Sequence, residues 1–484
     1  MSRLRVLVAN VAAIVSGKAV AALAGLATIM LLTRHLGPRE FGYYRTVLTF
    51  AGFSAVLADS GIYMVALREM SRPGADKGQV AGSILPLRIL SSVVVLVIAC
   101  SCAGLFPYDD TVKRGVWIGA GVYVCFQASE LLVAVFQSVV QQGRNAIAEG
   151  LGAVATLAAV WGLGFLNVGA LPMLGATLFG SALALAISWR LAKKLVPFHY
   201  RFDVRLWRNY AVLGLPIAGA QILGMAILRG DSLVLSIFQP AADVGLYGVS
   251  TKLFELATSL AFMFGGVMMP ALTTAAAAAA RGSREEFPRV LGHVVDTAAI
   301  YGVGAVLALA PFAPEVLTLI AGPEFAVGAP ALVVISFAIA LAALSHVLRF
   351  ALVACEQPRL VLRADAIACV CGFAAYFVLI PRYSLLGAAV GTVVAEACSL
   401  AGMLAGLKRA GYAFPSPLNF FKAVGAGALA LGSMLVGDQL EVPWALSLLL
   451  GAAIYLVVLA LTHAIPPELV ATVIRRRDPY QRSV

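Results

Sequence analysis

The polar turn between the first two apolar segments of the chain reads Leu36-Gly37-Pro38-Arg39-Glu40-Phe41-Gly42-Tyr43-Tyr44. A proline cannot continue a helix, and glycines adopt backbone angles that other residues resist, so the stretch predicts a tight turn. The tyrosines suit a membrane–water interface. Since the apolar run on each side is long enough to cross a bilayer, the stretch predicts a hairpin of two membrane-spanning helices.

The composition indicates a polytopic membrane protein. Of 484 residues, 61% are hydrophobic and only 12% are charged, against about 25% charged in a typical soluble domain. A soluble core could not hide so much apolar surface, and the short alternating segments of an outer-membrane barrel are absent from the sequence. The fold class is therefore expected to be all-α. The seven cysteines lie in or beside apolar runs, where small packing residues are a better interpretation than metal ligands or disulfides.

Fourteen spans are predicted, with the first expected to be an uncleaved span rather than a signal peptide. Their approximate bounds are 7–33, 43–67, 80–106, 114–139, 146–167, 170–192, 210–237, 246–271, 291–320, 329–354, 361–380, 384–407, 420–437 and 444–463. With a cytoplasmic N-terminus, the inside segments hold 24 basic residues and the outside turns hold five. The positive-inside rule therefore places both termini in the cytoplasm and explains the net charge of +11 without nucleic acid.

The first turn has a counterpart about two hundred residues later. The stretch from Phe238 to Tyr247 again contains a proline, a short polar run and Gly-x-Tyr at the start of the next span. Such internal similarity predicts two structural repeats. The expected domains are a six-helix bundle over 1–192, a basic cytoplasmic linker over 193–209, a second six-helix bundle over 210–407, and two additional helices with a basic tail over 408–484.

The same motifs carry a resemblance to a known family. The run Thr33–Tyr44, with Arg229-Gly230-Asp231, Gly245-Leu246-Tyr247, Gly322-Pro323-Glu324-Phe325 and Leu385–Ala389, resembles polysaccharide (Wzx-type) flippases. These belong to the multidrug/oligosaccharidyl-lipid/polysaccharide (MOP) exporter superfamily. The resemblance spans nearly the whole chain, although each motif is short.

Charged residues inside the spans are the candidate site residues, because each costs roughly 2.5–3.5 kcal/mol at a helix centre and therefore needs water or a partner. The cations in or at the edge of spans are Lys18, Arg45, Arg88, Arg229, Lys252 and Arg349. The acids at similar depth are Asp59, Glu130, Asp231, Glu255, Asp296, Asp365 and Glu396.

These charges have both functional and structural interpretations. The predicted substrate-binding residues are Lys18, Arg45, Arg229 and Lys252. The acids Asp59, Glu130, Asp231 and Glu255 are expected either to couple an ion or to pair with cations. Structural alternatives are that Arg88 and Arg349 extend to the interface, that Lys252 and Glu255 neutralise each other, that Asp59 pairs with Lys18, and that Asp296 and Asp365 pair with arginines.

A cationic cleft between two bundles would suit phosphate groups. The resemblance implies the cargo, a polyprenyl-pyrophosphate-linked oligosaccharide moved to the outer leaflet of the cell (inner) membrane for surface polysaccharide. It also implies membrane lipid, a polysaccharide polymerase and glycosyltransferases as partners. No catalytic residue, cofactor, metal or nucleic acid is predicted. Alternatives are a lipid II flippase, a cation-coupled drug antiporter of the same superfamily and, more distantly, a membrane glycan polymerase or ligase.

Overall fold

The computed structural model describes residues 3–464 except 60, 73, 201, 282–284 and 413–417. All regular elements in these described residues are helical, which confirms the all-α class. The α-helices are α1 (Arg3–Asp59), α2 (Ile62–Met70), α3 (Lys77–Cys102), α4 (Asp110–Ser138), α5 (Gln142–Gly164), α6 (Ala170–Leu195), α7 (Val204–Phe238), α8 (Ala241–Ala280), α9 (Glu286–Leu309), α10 (Ala313–Ala321), α11 (Ala329–Ala354), α12 (Pro358–Arg409), α13 (Leu418–Gln439) and α14 (Trp444–Leu461).

Twelve helices of the described chain are long and apolar enough to cross a membrane. Two of them are interrupted, α1 at Gly37 (φ 64°, ψ 178°) and α12 at Ser384 (φ 48°, ψ −127°). At 57 and 52 residues, each is more than twice the length of about 20 residues that one crossing needs. Counting each interrupted helix as two gives the fourteen segments predicted from hydropathy, and both breaks fall at predicted turns.

The chain reverses at Gly37. We call residues 3–36 α1N and residues 38–59 α1C. α1N lies against α5, so closely that a Cβ at Gly17 would be 2.6 Å from the backbone of Ala146. α1C lies against α6, the helix that follows α5 in the chain, and the hydroxyls of Tyr44 and Thr177 are 3.0 Å apart there. The predicted hairpin is therefore confirmed.

The two similar proline turns lie side by side. A Cβ on Gly42 would be 1.7 Å from the carbonyl oxygen of Ala241, and a Cβ on Gly245 would be 1.9 Å from that of Pro38. Only glycine permits such a close approach of two backbones. Each glycine contacts the residue four positions before the other, so the contact is reciprocal, as expected for elements related by a twofold axis.

Some predicted bounds were wrong. The second span was expected to reach residue 67 but ends at Asp59, because Gly61 (φ 72°) adopts a left-handed conformation and α2 follows as a separate short helix. The ninth predicted span is divided between α9 and α10. The eighth span was expected to end near residue 271, but α8 continues through an alanine run to Ala280. All seven cysteines are free.

The helices form two compact units. The first unit contains the described residues up to Gly248 together with Ile320–Phe325, and the second contains the described residues of Val249–Leu319 and those from Ala326 onward. α7 packs on α1 within the first unit. The division into bundles 1–192 and 210–407 with a linker stays a prediction, because it concerns similarity between halves rather than contact.

Each unit has its own apolar core. In the first, α2, α3 and α4 enclose buried side chains such as Ile84 and Phe136, and Phe325 packs edge-on against Phe41 with ring centroids 6.0 Å apart. In the second, α13 and α14 pack on α9, where the Tyr455 hydroxyl donates to the carbonyl oxygen of Ile300 at 2.9 Å. The two C-terminal helices are thus part of the second unit.

Candidate functional site: a charged cavity in the first unit

A cavity of about 500 Å³ lies among α1C, α4, α6 and α7 of the first unit. We call it the charged cavity. Its polar and charged lining consists of Asp59, Tyr123, Gln127, Glu130, Thr177, Ser181, Gln221 and Arg229. A volume in the range of ~300–1,000 Å³ is typical of sites for small molecules and cofactors. Five charged or amide side chains on the walls of a membrane-spanning bundle make this the strongest candidate site in the described residues.

Arg88 holds both carboxylates of the charged cavity. Its side chain is 0% exposed, and it forms ion pairs with Asp59 and, at 2.7 Å, with Glu130. It also donates from Nε to the backbone oxygen of Gln127 and from Nη2 to the Gln127 side chain, both at 2.7 Å. The interpretation that Arg88 extends to the interface was therefore wrong, because its side chain is fully buried among these partners. The suggested pairing of Asp59 with Lys18 was wrong, since the partner of Asp59 is Arg88.

Glu130 remains partly accessible in spite of this ion pair. Its side chain is 40% exposed, whereas that of Asp59 is 8% exposed. Glu130 also lines a neighbouring cavity of about 230 Å³ that contains Glu149 and the hydroxyl of Ser181. Of the two carboxylates that Arg88 binds, that of Glu130 is therefore the more open to an ion or a ligand.

Arg229 is the predicted substrate-binding cation that lines the charged cavity. Asp231, two residues later, is 3% exposed and accepts hydrogen bonds from the Tyr247 hydroxyl at 2.7 Å and from the Ser232 amide. The side chains of Arg229 and Asp231 therefore have different surroundings, although they are two residues apart. The pair Asp231–Tyr247 joins α7 to α8.

The other predicted cations lie elsewhere. Lys18 is exposed on α1N, and among the described side chains it has no hydrogen bond or ion pair. The side chain of Arg45 lies over Gly248, where a Cβ would be 3.1 Å from its Nε. Lys252 is in the second unit and pairs with Glu255 at 3.1 Å, as the structural alternative proposed. The structure does not test whether these three residues bind a substrate, so that role stays a prediction.

Two other embedded acids of the second unit, Asp365 and Asp296, have polar partners. Arg349 donates to both carboxylate oxygens of Asp365, one of them at 2.8 Å, which confirms the predicted acid–arginine pair. Asp296 accepts instead from the side-chain amide of Asn419 at 2.7 Å, so the expected arginine partner was wrong for this acid.

The neutral polar residues of the charged cavity were missed from the sequence. Gln221 is informative, because its Oε1 is buried without a hydrogen-bond partner in the part of the chain that the structure describes. Buried acceptors are normally paired, so this one is available to a donor group of a ligand. An amide within an apolar run is a signal that could have identified both Gln127 and Gln221.

Long apolar helices surrounding a polar, charged cavity are typical of a membrane transporter. The family model described as "Polysaccharide biosynthesis protein" matches residues 7–275, more than half of the chain. A curated relative, the probable low-salt glycan biosynthesis flippase Agl15 of Haloferax volcanii, is 20% identical over 384 residues, which cover 76% of each chain.

Solved structures show the same fold. The lipid II flippase MurJ, in an inward closed conformation, superposes with a TM-score of 0.74 at 12% identity, covering 94% of this chain and 99% of that chain. An inward-facing multidrug resistance MATE family transporter of the MOP superfamily gives 0.64 at 16% identity, covering 81% and 94%. The chain belongs to the polysaccharide biosynthesis protein family and is a multi-pass membrane protein.

Proposed function

We propose that the protein flips a polyprenyl-pyrophosphate-linked oligosaccharide from the cytoplasmic to the outer leaflet of the cell (inner) membrane. The observation that carries the proposal is the charged cavity within a membrane-spanning bundle of the polysaccharide biosynthesis protein family. A polar head group would cross through such a cavity, while its prenyl chain stays in the hydrocarbon. The cargo leaves chemically unchanged, so no catalytic residue is required.

In this proposal the side chains have different roles. Arg229 contacts the phosphate groups, because a guanidinium forms charge-assisted, bidentate hydrogen bonds with them. Gln221, Thr177 and Ser181 offer neutral hydrogen bonds to sugar hydroxyls. Arg88 prevents Asp59 and Glu130 from presenting two uncompensated negative charges to an anionic cargo. Lys18, Arg45 and Lys252 are proposed as further phosphate contacts at other stages of transport.

The orientation is also a proposal. The excess of basic residues in the inside segments favours cytoplasmic termini. The turn at Gly37 and the start of α8 would then face outward, beside the site where a polysaccharide polymerase uses the cargo. Glycosyltransferases would supply the cargo from the cytoplasmic side.

The test is to delete the gene in the native host, extract the lipids and identify intermediates by mass spectrometry. We expect a lipid-pyrophosphate-linked oligosaccharide to accumulate and to disappear on complementation. Accumulation of lipid II would instead identify a lipid II flippase. Increased drug sensitivity without a lipid intermediate would identify an antiporter, and either result would overturn the proposal.

Arg229 allows a sharper version of the same test. Complementation by Arg229→Ala should leave the intermediate in place, whereas Arg229→Lys should clear part of it because the charge is retained. A matched control is Arg190→Ala, which removes an exposed cation of α6 outside the lining of the charged cavity. Full clearance by a stably expressed Arg229→Ala protein would refute the role of Arg229.

A further inference from the structure

A second cavity lies at the end of the first unit where the two proline turns meet. We call it the hairpin-end cavity. Its volume is about 550 Å³, and residues of α1C, the loop before α4, and the α7–α8 turn form its walls. Its polar and charged lining consists of Arg39, Tyr43, Thr46, Tyr108, Asp109, Ser236 and Gln239. The proposed function does not use this cavity.

The hairpin-end cavity contains one positive and one negative side chain, which are linked by hydrogen bonds. Arg39 donates from Nε to the Tyr43 hydroxyl at 3.0 Å, and that hydroxyl donates to the Asp109 carboxylate. Arg39 and Asp109 are the charged residues of the described lining, so its formal charge is zero. Since the Arg39 guanidinium is joined to the Asp109 carboxylate through the Tyr43 hydroxyl, each charge has a nearby counter-charge, and the lining suits an uncharged polar ligand.

Asp109 is placed for binding rather than for helix capping. It occupies the N-cap position of α4, where an aspartate normally accepts from the first helical amides, yet its side chain makes no capping hydrogen bond. The side chain is directed to Tyr43 instead and is exposed. An exposed carboxylate has lone pairs left for further donors.

The remaining walls combine hydroxyl groups with apolar surface. The Tyr108 and Ser236 hydroxyls are 3.0 Å apart, and since Ser236 donates to the Leu233 carbonyl, Tyr108 is the donor between them. Burial raises the pKa of Tyr108 above its usual range, so its hydroxyl stays protonated. Phe238, at 47% exposed, and Pro240 supply accessible apolar surface.

We propose that the hairpin-end cavity binds a neutral sugar unit of the transported glycan. A sugar presents adjacent hydroxyls that both donate and accept, which match a linked guanidinium, phenol and carboxylate. Its C–H faces match the proline and phenylalanine surfaces. This inference rests on the proposed function and deepens it, because it assigns the sugar part of the cargo to a site separate from the charged cavity.

The probe is the free oligosaccharide released by mild acid from the lipid fraction that accumulates in the deletion strain. Its binding to the purified full-length protein in lipid nanodiscs is measured by calorimetry. Asp109→Ala should raise the Kd by about tenfold or more, because a charged hydrogen-bond acceptor is lost. Tyr43→Phe, which keeps the ring, should raise it less. Excess inorganic pyrophosphate should not displace the glycan.

The matched control is Asp110→Ala, since Asp110 is the adjacent exposed carboxylate at the start of the same helix and lies outside the described cavity lining. It should bind the glycan as tightly as the unmodified protein. Equal affinity of Asp109→Ala and the unmodified protein, equal weakening by both alanine variants, or no binding to the unmodified protein would overturn the sugar site alone. If no lipid-linked glycan accumulates on deletion, the proposed function fails and this inference fails with it.

Discussion

Replacing Arg88 by methionine should strongly destabilise the folded protein, because three groups, two of them buried, lose their partner at once. Arg88 is fully buried and binds Asp59, Glu130 and Gln127. Removing one partner of a buried ion pair costs roughly 3–5 kcal/mol, since the remaining charge is left uncompensated. On the scale of about 1.4 kcal/mol per tenfold, this corresponds to an unfolding equilibrium shifted by about a hundredfold to several thousandfold.

The assay is the fraction of monodisperse protein that remains after heating in detergent. Arg88→Met should lose its monodisperse peak at a clearly lower temperature. The triple variant Arg88→Met, Asp59→Asn, Glu130→Gln should regain much of the lost stability. Replacing all charged members of a buried ion-pair network by uncharged residues often changes stability little.

Lys18→Met is the control for this experiment. It removes an exposed cation without a partner among the described residues and should change the melting behaviour little. If Arg88→Met melts like the unmodified protein, or if the triple variant is no more stable than the single one, the structural reasoning about this network is refuted.

Gly42→Ala should reduce the yield of folded protein, because the added Cβ would lie 1.7 Å from a backbone oxygen; Gly25→Ala, with nothing within 4 Å, should not. Equal yields of the two would contradict the close backbone contact. Lys18→Ala should leave folding intact but reduce clearance of the lipid intermediate, whereas Lys18→Arg should keep much more of the clearance because the charge is retained. Full clearance by Lys18→Ala would exclude Lys18 from the substrate-binding residues. A cysteine introduced at Asp438 should react with an impermeant maleimide in intact cells, and one at Arg208 should not, while the reverse pattern would invert the proposed orientation.

Much of the fold follows from the sequence, because membrane insertion depends on local properties. Apolar length predicts a span, and the Gly-Pro turn after Leu36 predicts a reversal whatever packs around it. The break after Asp59 shows the limit of this reasoning. The turn-forming Gly61 lies inside a long apolar run, and hydropathy alone carried the predicted span through to residue 67.

The candidate site was less predictable for a different reason. The cost of embedded charge identified Asp59, Glu130 and Arg229 as residues that need partners or water. Their arrangement depends on Arg88, which reaches residues of two other helices that are 29 and 42 positions away in sequence. Spacing along one helix contains no information about such contacts.

The charges of the site bear on how a transporter would both bind and release an anion. Arg229 and the Arg88 network together contribute two positive and two negative formal charges to the charged cavity and its wall. A site with equal positive and negative charge does not bind a pyrophosphate too tightly. Transport requires such binding, because the cargo must also be released. Attraction of the cargo then depends on cations outside the cavity, of which Lys18 is an exposed one with no ion pair among the described side chains. In this scheme Lys18 would govern capture, while Arg229 would govern passage through the cavity.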